Sequence, residues 1–269
     1  SFIKQNRASS ISIMVAAFIS ALFLSLLCSL FFNFWNYDVE QIVLEEGGWQ
    51  GRITGKIDED DLAMIQNFAN VESASVNEEL SEEPEIVVDV YFQNTRTIYR
   101  DMPLITKKLG LDANAASYHE LLLSRYLIHD PQDAEPPLLM AFYLMILMIM
   151  SLALILIIHN SFAVTMNARI HQFGIFSSIG ATPGQIRTCL MQEAAALCAV
   201  PILVGSIIGI ALSFGVIQAI NLLAADVVGR HEAVFKYHPL IFVITILVSV
   251  LTVFISAWLP AKKLSGLTP

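Results

Sequence analysis

Residues 169–192 of the chain read RIHQFGIFSSIGATPGQIRTCLMQ and lie between two long apolar segments. The stretch contains cations but neither Asp nor Glu. Within it, Phe173, Phe176 and Ile179 recur at intervals of three residues, which indicates one face of a short helix. An ordinary loop between two apolar helices has no need for such a pattern. The stretch therefore predicts a structured connector whose apolar face binds a partner.

The junction between this short helix and the next one is marked by residues 180–184, which read Gly-Ala-Thr-Pro-Gly. Gly180 is suited to ending the first helix. Thr182 is placed to cap the helix that follows, with Pro183 in its first turn. The sequence therefore predicts a rigid elbow, and the second helix continues from it into the following apolar segment.

Four runs of the sequence are long enough to cross a bilayer, which requires about 20 apolar residues. With 55% hydrophobic and 14% charged residues and a mean hydropathy of +0.63, the composition excludes a soluble globular protein. The predicted fold class is an α-helical membrane protein with four transmembrane helices and a small α+β extracytoplasmic domain between helices 1 and 2. The apolar runs are 11–34, 138–158, 194–220 and 240–259.

Charge is distributed unevenly along the chain, whose overall net charge is −9. Residues 35–136 contain 21 acidic and 7 basic residues, so this segment carries −14 and the remainder carries +5. Because cytoplasmic flanks of membrane helices are enriched in Lys and Arg, the cations predict that both termini and the elbow are cytoplasmic. The acidic segment is then extracytoplasmic. The cations in question are Lys4, Arg7, Arg169, Arg187, Lys262 and Lys263.

The acidic segment has the alternating pattern of a soluble α+β domain, with an element order near β-α-β-β-α-α. Residues 86, 88, 90 and 92 are apolar and alternate with other residues, which predicts a strand with one buried face. Acidic residues 58–61 favour a helix start, because negative charge complements the helix dipole there. The predicted strands are 50–57, 71–76 and 85–93, and the predicted helices are 58–70, 101–109 and 117–128.

The second and third membrane segments differ in kind. Residues 138–158 contain neither charge nor glycine, and the helix is expected to continue as a cytoplasmic stalk to about residue 168. In the third segment Gly205, Gly209 and Ser213 recur every four residues, which places small side chains on one helix face and permits close helix packing. These three residues are the predicted helix-packing site.

The elbow resembles the cytoplasmic coupling segment of FtsX-like (MacB-type) ABC-transporter permeases. The matching residues are Arg169, Gly174, Ile175, Ile179, Gly180, Ala181, Gln185 and Ile186. The sequence departs from the family pattern at His171, Gln172 and Ser177, which removes charge and implies a less ionic contact. The end of the fourth apolar run, with Pro260 before Lys262 and Lys263, is similar to the tail of the family's membrane module.

The resemblance implies that the chain is the permease subunit of an ABC transporter in the cell membrane and that a separate ABC ATPase subunit hydrolyses ATP. It also implies a second permease module or a homodimer partner, and a role as the N-terminal module of a longer, Gram-positive type permease. The implied ATPase-coupling residues are Arg169, His171, Gln172, Phe173, Gly174, Ile175, Phe176, Ile179, Gly180, Ala181, Thr182, Gln185, Ile186 and Arg187.

Motifs for catalysis are largely missing from the sequence, and no catalytic residue, metal site, cofactor or nucleic-acid partner is predicted. Residues 51–57 have only three residues between the two glycines and end in Ile57, so they do not form a nucleotide-binding loop. The three cysteines lie in or beside apolar runs and predict no disulfide framework. His231 and His238 leave a metal site open, but solvated or packed histidines are the plainer interpretation.

Two functions remain open at this stage. In the first, the protein exports or detaches a lipid-associated or antimicrobial peptide substrate, and its acidic domain suits a cationic peptide. In the second, it is a mechanotransmission scaffold that regulates a cell-wall hydrolase or a sensor kinase.

The predicted organisation is a cytoplasmic lead (1–10), helix 1 (11–35), the extracytoplasmic domain (36–137), helix 2 (138–160), the coupling segment (169–187), helix 3 (188–222), an outer loop (223–238), helix 4 (239–260) and a cytoplasmic tail (261–269).

Overall fold

The computed structural model describes residues 7–131, 138–168, 178, 180–227 and 229–265. The helices are α1 (Arg7–Glu46), α2 (Glu59–Gln66), α3 (Ile98–Lys108), α4 (Glu120–Arg125), α5 (Leu138–Ala168), α6 (Pro183–Leu223) and α7 (Pro239–Ser265). The strands are β1 (Gly51–Gly55), β2 (Val71–Val76), β3 (Ile86–Phe92) and β4 (Ala116–Tyr118). The chain divides into a helical unit, Ser1–Phe34 with Leu144–Pro269, and a sheet unit, Trp35–Tyr143.

Four helices of the described chain are long and apolar enough to cross a membrane, namely α1, α5, α6 and α7. The prediction of four apolar helices is therefore confirmed. Helix α1 runs through the predicted boundary at residue 35 and ends at Glu46, because residues 35–46 contain neither Gly nor Pro. Gly47, with φ of +90°, then ends the helix in the left-handed conformation that glycine adopts without strain.

The helical unit has a core to which all four long helices contribute. Ile13 and Ala17 of α1, Ile158 of α5 and Ala257 of α7 are buried in one cluster. Helix α6 adds a row of buried side chains and packs along α7. These α6 residues follow the helical period, namely Ile186, Leu190, Ala194, Cys198 and Ile202.

The sheet unit contains an antiparallel sheet with the strand order β2-β3-β1-β4. Alternation along β3 buries Val88 and Val90 on the same side as Ile53 of β1, because Ile53 pairs with Val88. Helices α2, α3 and α4 contribute buried side chains to this same core. An added Cβ on Gly51 would lie 2.7 Å from Met102 Sδ, so α3 packs closely over β1.

The strand predictions at 50–57, 71–76 and 85–93 are confirmed, as is a helix after Asp58. The prediction of one helix over 117–128 is wrong at its start. Residues 116–118 pair instead with β1, which offers an open strand edge, and only Glu120–Arg125 is helical. Within this helix Leu122 and Leu123 are buried and Leu121 is exposed.

Candidate functional site

The elbow begins, in the described part of the chain, at Gly180, whose φ of +94° is the left-handed conformation that favours glycine. The predicted cap is confirmed at Thr182, because Gln185 N–H donates to Thr182 Oγ1 at 3.3 Å. Thr182 N–H in turn donates to Gln185 Oε1 at 2.9 Å, which completes a reciprocal capping box. With Pro183 in the first turn, the start of α6 is fixed by local contacts alone.

The six predicted coupling residues that the structure describes fall into two groups. Gly180, Thr182, Gln185 and Arg187 are exposed and Ala181 is half-buried, so they are accessible to a partner. Ile186 is buried in the core cluster of the helical unit and anchors the elbow there. The remaining predicted coupling residues lie outside the described residues, namely Arg169, His171, Gln172, Phe173, Gly174, Ile175, Phe176 and Ile179.

The small residues of α6 face the backbone of α1. A Cβ added to Gly205 would lie 2.6 Å from the carbonyl oxygen of Phe18. A Cβ added to Gly209 would overlap the carbonyl oxygen of Leu22 and lie 2.9 Å from Ser25 Cβ. Because real Cβ atoms do not approach a carbonyl oxygen this closely, the contact between α1 and α6 requires glycine at both positions.

Polar contacts extend the packing of α1 on α6, called the α1–α6 seam below, toward the C-terminal end of α6. Ser25 Oγ donates to the Ser206 carbonyl oxygen at 2.7 Å. Ser29 Oγ and Ser213 Oγ are 2.6 Å apart, and Ser213 also donates to the Ile210 carbonyl at 2.7 Å. A hydroxyl has a single proton, so Ser29 is the donor to Ser213. Each of these contacts adds a directional bond to the close packing of α1 on α6.

Sequence reasoning missed the α1 side of this seam. Ser25, Ser29 and Asn33 recur every four residues, which is the same signal that identified Gly205 and Gly209. In a helix that is apolar on every side, such a polar row indicates a helix-facing stripe. The signal was therefore present in the sequence.

A chain of stacked side chains forms a second cluster, in the sheet unit. Arg52 pairs with Asp89 across β1 and β3, with Nε 2.5 Å from Oδ1, and its guanidinium carbon lies 3.9 Å from the centre of the Trp49 ring. The Trp49 ring lies 4.6 Å from that of His119. His119 Nε2 is 3.6 Å from a carboxylate oxygen of Glu46, the last residue of α1.

His119 is 3% exposed, and its ring has two distinct neighbours. Nδ1 accepts the Leu122 N–H at 3.3 Å and so caps α4, while Nε2 faces Glu46. Burial lowers the pKa of this imidazole; the Glu46 carboxylate opposes that shift and the Arg52 charge adds to it. The residue is therefore held in the neutral tautomer with the proton on Nε2, since only that form accepts at Nδ1.

Within the sheet unit, residues 35–46 of α1 contact α4 at a second point. Trp35 Nε1 donates to the Arg125 carbonyl at 2.9 Å, and the Arg125 guanidinium pairs with the Asp38 carboxylate. The Trp35 and Tyr126 rings meet edge to face at 6.0 Å. Together with the Glu46–His119 contact, these interactions hold residues 35–46 against α4.

Within residues 7–131, 138–168, 180–227 and the other described positions, no group of three His, Cys, Asp or Glu side chains is arranged to hold an ion. The described part of the chain thus offers packing seams and an exposed elbow.

Residues 144–269 match the family of FtsX-like permease C-terminal domains. The matched segment contains the elbow and the three small residues of α6, whereas α1 and the strands of the sheet unit lie outside it. A search of the curated proteins found no match to this chain.

Proposed function

We propose that this chain is the membrane subunit of an ABC transporter, because residues 144–269 match the family of FtsX-like permease C-terminal domains. The family is an ABC-transporter permease type, and it implies an ABC ATPase partner and a membrane setting. Four helices apolar enough to cross a bilayer are consistent with a multi-pass plasma-membrane protein. In this proposal the partner subunit hydrolyses ATP. The chain converts the resulting motion into a conformational change of its membrane helices and its sheet unit.

The elbow is the proposed contact with the ATPase. Its described side chains at Gln185 and Arg187 are exposed, and residues 169–192 contain no acidic group that would neutralise a cation there. The capping box makes the start of α6 stiff, so a displacement of the elbow moves α6 as a rod instead of unwinding its first turn. The residues proposed for this contact include positions 169–179 on the strength of the family resemblance.

The close contact of α6 with α1 is the single observation that carries the proposed mechanism. Backbones that touch at Gly205 and Gly209 cannot slide freely, because each glycine sits over a carbonyl of α1. Motion of α6 is therefore proposed to carry α1 with it. Helix α1 continues unbroken to Glu46, and within the sheet unit Asp38 pairs with Arg125 and Glu46 faces His119.

The sheet unit is proposed to be extracytoplasmic and to bind or release the transported or regulated species. Its segment 35–136 carries −14, which suits a cationic peptide or a basic protein surface. Export or detachment of a lipid-associated or antimicrobial peptide is the proposed activity. A second permease module or a second copy of the chain is the proposed membrane partner, so that two elbows meet two ATPase subunits.

The proposal is tested by reconstituting the full chain with candidate ABC ATPases and measuring co-purification and ATP hydrolysis. Arg187→Glu is expected to lower stimulation of the ATPase at least about tenfold, because it reverses charge at the exposed elbow without touching the core. Lys107→Glu, the same charge change at an exposed site of α3, is the matched control and is expected to leave stimulation unchanged. Normal binding and stimulation by Arg187→Glu and Gly180→Asp together would remove the coupling assignment.

A further inference from the structure

A small cavity lies inside the helical unit where α1, α5 and α7 meet. It provides about 10 Å³ for the centre of a water-sized molecule, which is close to the room that one water requires. The residues around it are mixed: three are aliphatic and four carry hydroxyl groups. The lining consists of Ser20, Leu24, Ser151, Ile158, Val248, Ser249 and Thr252.

Two of the four hydroxyls have no protein partner. Ser20 and Ser249 are each 4% exposed, and neither Oγ atom makes a hydrogen bond to another described residue. A serine in an apolar helix ordinarily donates to the carbonyl one turn earlier. Thr252 does so to the Val248 carbonyl at 2.7 Å, and Thr245 does so to Ile241 at 2.8 Å, but Ser20 and Ser249 do not.

Leaving two buried hydroxyls unsatisfied is unfavourable, and polar groups that border the same cavity are normally satisfied by water. We propose that this cavity holds one ordered water molecule that joins α1, α5 and α7. The water accepts from the Ser20 and Ser249 hydroxyls. It donates to Thr252 Oγ1, whose own proton is already directed to Val248, and to Ser151 Oγ, so its two donors and two acceptors are all used.

The chemistry of the lining selects water over a cation. All four polar groups are neutral hydroxyls, and no carboxylate borders the cavity to balance a positive charge. The site also differs from the contact between α1 and α6, where Ser29 and Ser213 bond directly and glycines exclude any intervening molecule. In this proposal α1 packs directly on α6 at the glycines, whereas beside its apolar contacts with α5 and α7 it also reaches them through the water.

Thermal unfolding of the full chain in lipid nanodiscs tests the site through three variants and a control. Ser20→Ala and Ser249→Ala are each expected to lower the Tm by about 2–6 °C, because each leaves the water short of a partner. The Tm of the double variant is expected to fall by less than the sum of the two single decreases, since both changes disrupt the same water bridge. Ser206→Ala is the matched control: its Oγ is buried and has no hydrogen-bond partner among the described residues but does not line this cavity, so its removal should leave the Tm unchanged or raise it.

A dry cavity predicts the opposite pattern. Ser20→Ala and Ser249→Ala would then behave as Ser206→Ala does, with additive effects that leave or raise the Tm, and the proposal would be overturned. A second measurement does not depend on the variants folding. A structure of the unmodified chain at a resolution that shows ordered waters should contain a density peak about 3 Å from both Oγ atoms, and an empty cavity there would also overturn it.

Discussion

Asn33 and Lys236 exchange two hydrogen bonds: Lys236 N–H donates to Asn33 Oδ1 at 2.7 Å, and Asn33 Nδ2 donates to the Lys236 carbonyl at 3.1 Å. The side-chain amide of α1 therefore satisfies both backbone groups of one residue in the loop between α6 and α7. Asn33 is 6% exposed, so water does not readily replace it. The amide fastens that loop to the end of the α1–α6 seam.

Removing this amide is expected to free the loop. Asn33→Leu keeps the approximate volume but removes both hydrogen bonds to the Lys236 backbone, and should destabilise the helical unit by about 1–3 kcal/mol. Asn33→Asp keeps the acceptor and loses the donor, so its stability should lie between those of the unmodified chain and Asn33→Leu. Thermal unfolding with hydrogen exchange of the Lys236 amide measures both effects. Unchanged protection of that amide in Asn33→Leu would contradict the assignment.

The glycine contact between α1 and α6 gives a prediction with an internal control. Gly209→Ala adds a methyl group that overlaps the Leu22 carbonyl, so the helices must separate and the helical unit should lose about 1–3 kcal/mol. Gly215→Ala, on the same helix with nothing within 4 Å, should be neutral or stabilising by up to about 1 kcal/mol. Thermal unfolding in detergent compares the two variants. Equal effects would mean that α1 and α6 do not pack as described.

The capping box at the elbow is expected to control fraying of α6. Thr182→Ala removes the oxygen that accepts from the Gln185 amide and should cost about 0.5–2 kcal/mol of local stability. Thr188→Ala is the control, because Thr188 is an exposed threonine six residues later whose hydroxyl donates to the Gly184 carbonyl. Hydrogen exchange of amides 184–186 reports the difference. Similar exchange in the two variants would argue against a stiff elbow.

Protonation of His119 is expected to destabilise the sheet unit. Its pKa is lowered in the folded state by burial, so the unfolded chain binds the proton more readily than the folded one. Stability contributed by the neutral ring is then fully present above the unfolded pKa of about 6.5 and is lost as the pH falls below it. A second proton on the ring also removes the acceptor that caps Leu122. Hydrogen exchange of β1 amides, corrected for the intrinsic rate, should show less protection at pH 5 than at pH 7.

Two variants make the histidine prediction specific. His119→Asn retains a side-chain acceptor for the α4 cap but does not titrate, so the difference between pH 5 and pH 7 should shrink. Glu46→Gln removes the carboxylate that favours the protonated ring, so the pKa of His119 should fall further and the loss on acidification should grow. An unaltered pH dependence in both variants would exclude His119 as the titrating group.

Local patterns in the sequence were sufficient for much of the fold. The lengths of the apolar runs predicted α1, α5, α6 and α7, because a bilayer-spanning helix requires a certain number of apolar residues whatever surrounds it. The Thr182 cap and Pro183 were predictable because a capping box involves residues three apart. The burial of Val88 and Val90 followed from the two-residue period of a strand.

The failures involve contacts between distant residues. Residues 116–118 have a helical pattern but form a strand, since the edge of β1, more than 60 residues earlier, offers unpaired backbone groups. The burial of His119 depends on Trp49 and Glu46, which no periodicity connects with it. Part of the predicted coupling segment, 169–177 and 179, lies outside the described residues and stays a prediction.

The sequence by itself determined which segments of this protein are apolar helices, where the elbow starts and which face of α6 is small, because these properties depend on neighbours within one or two turns. The tertiary structure alone decided that the small face meets Phe18 and Leu22 of α1, and that Ser20 and Ser249 border a common cavity. The periodicity of the sequence predicts that one face of a helix packs against a neighbour, but it does not predict which helix covers that face. That choice depends on the shapes and hydrogen-bonding groups of surfaces about 190 to 230 residues apart, which meet only when the whole unit has folded.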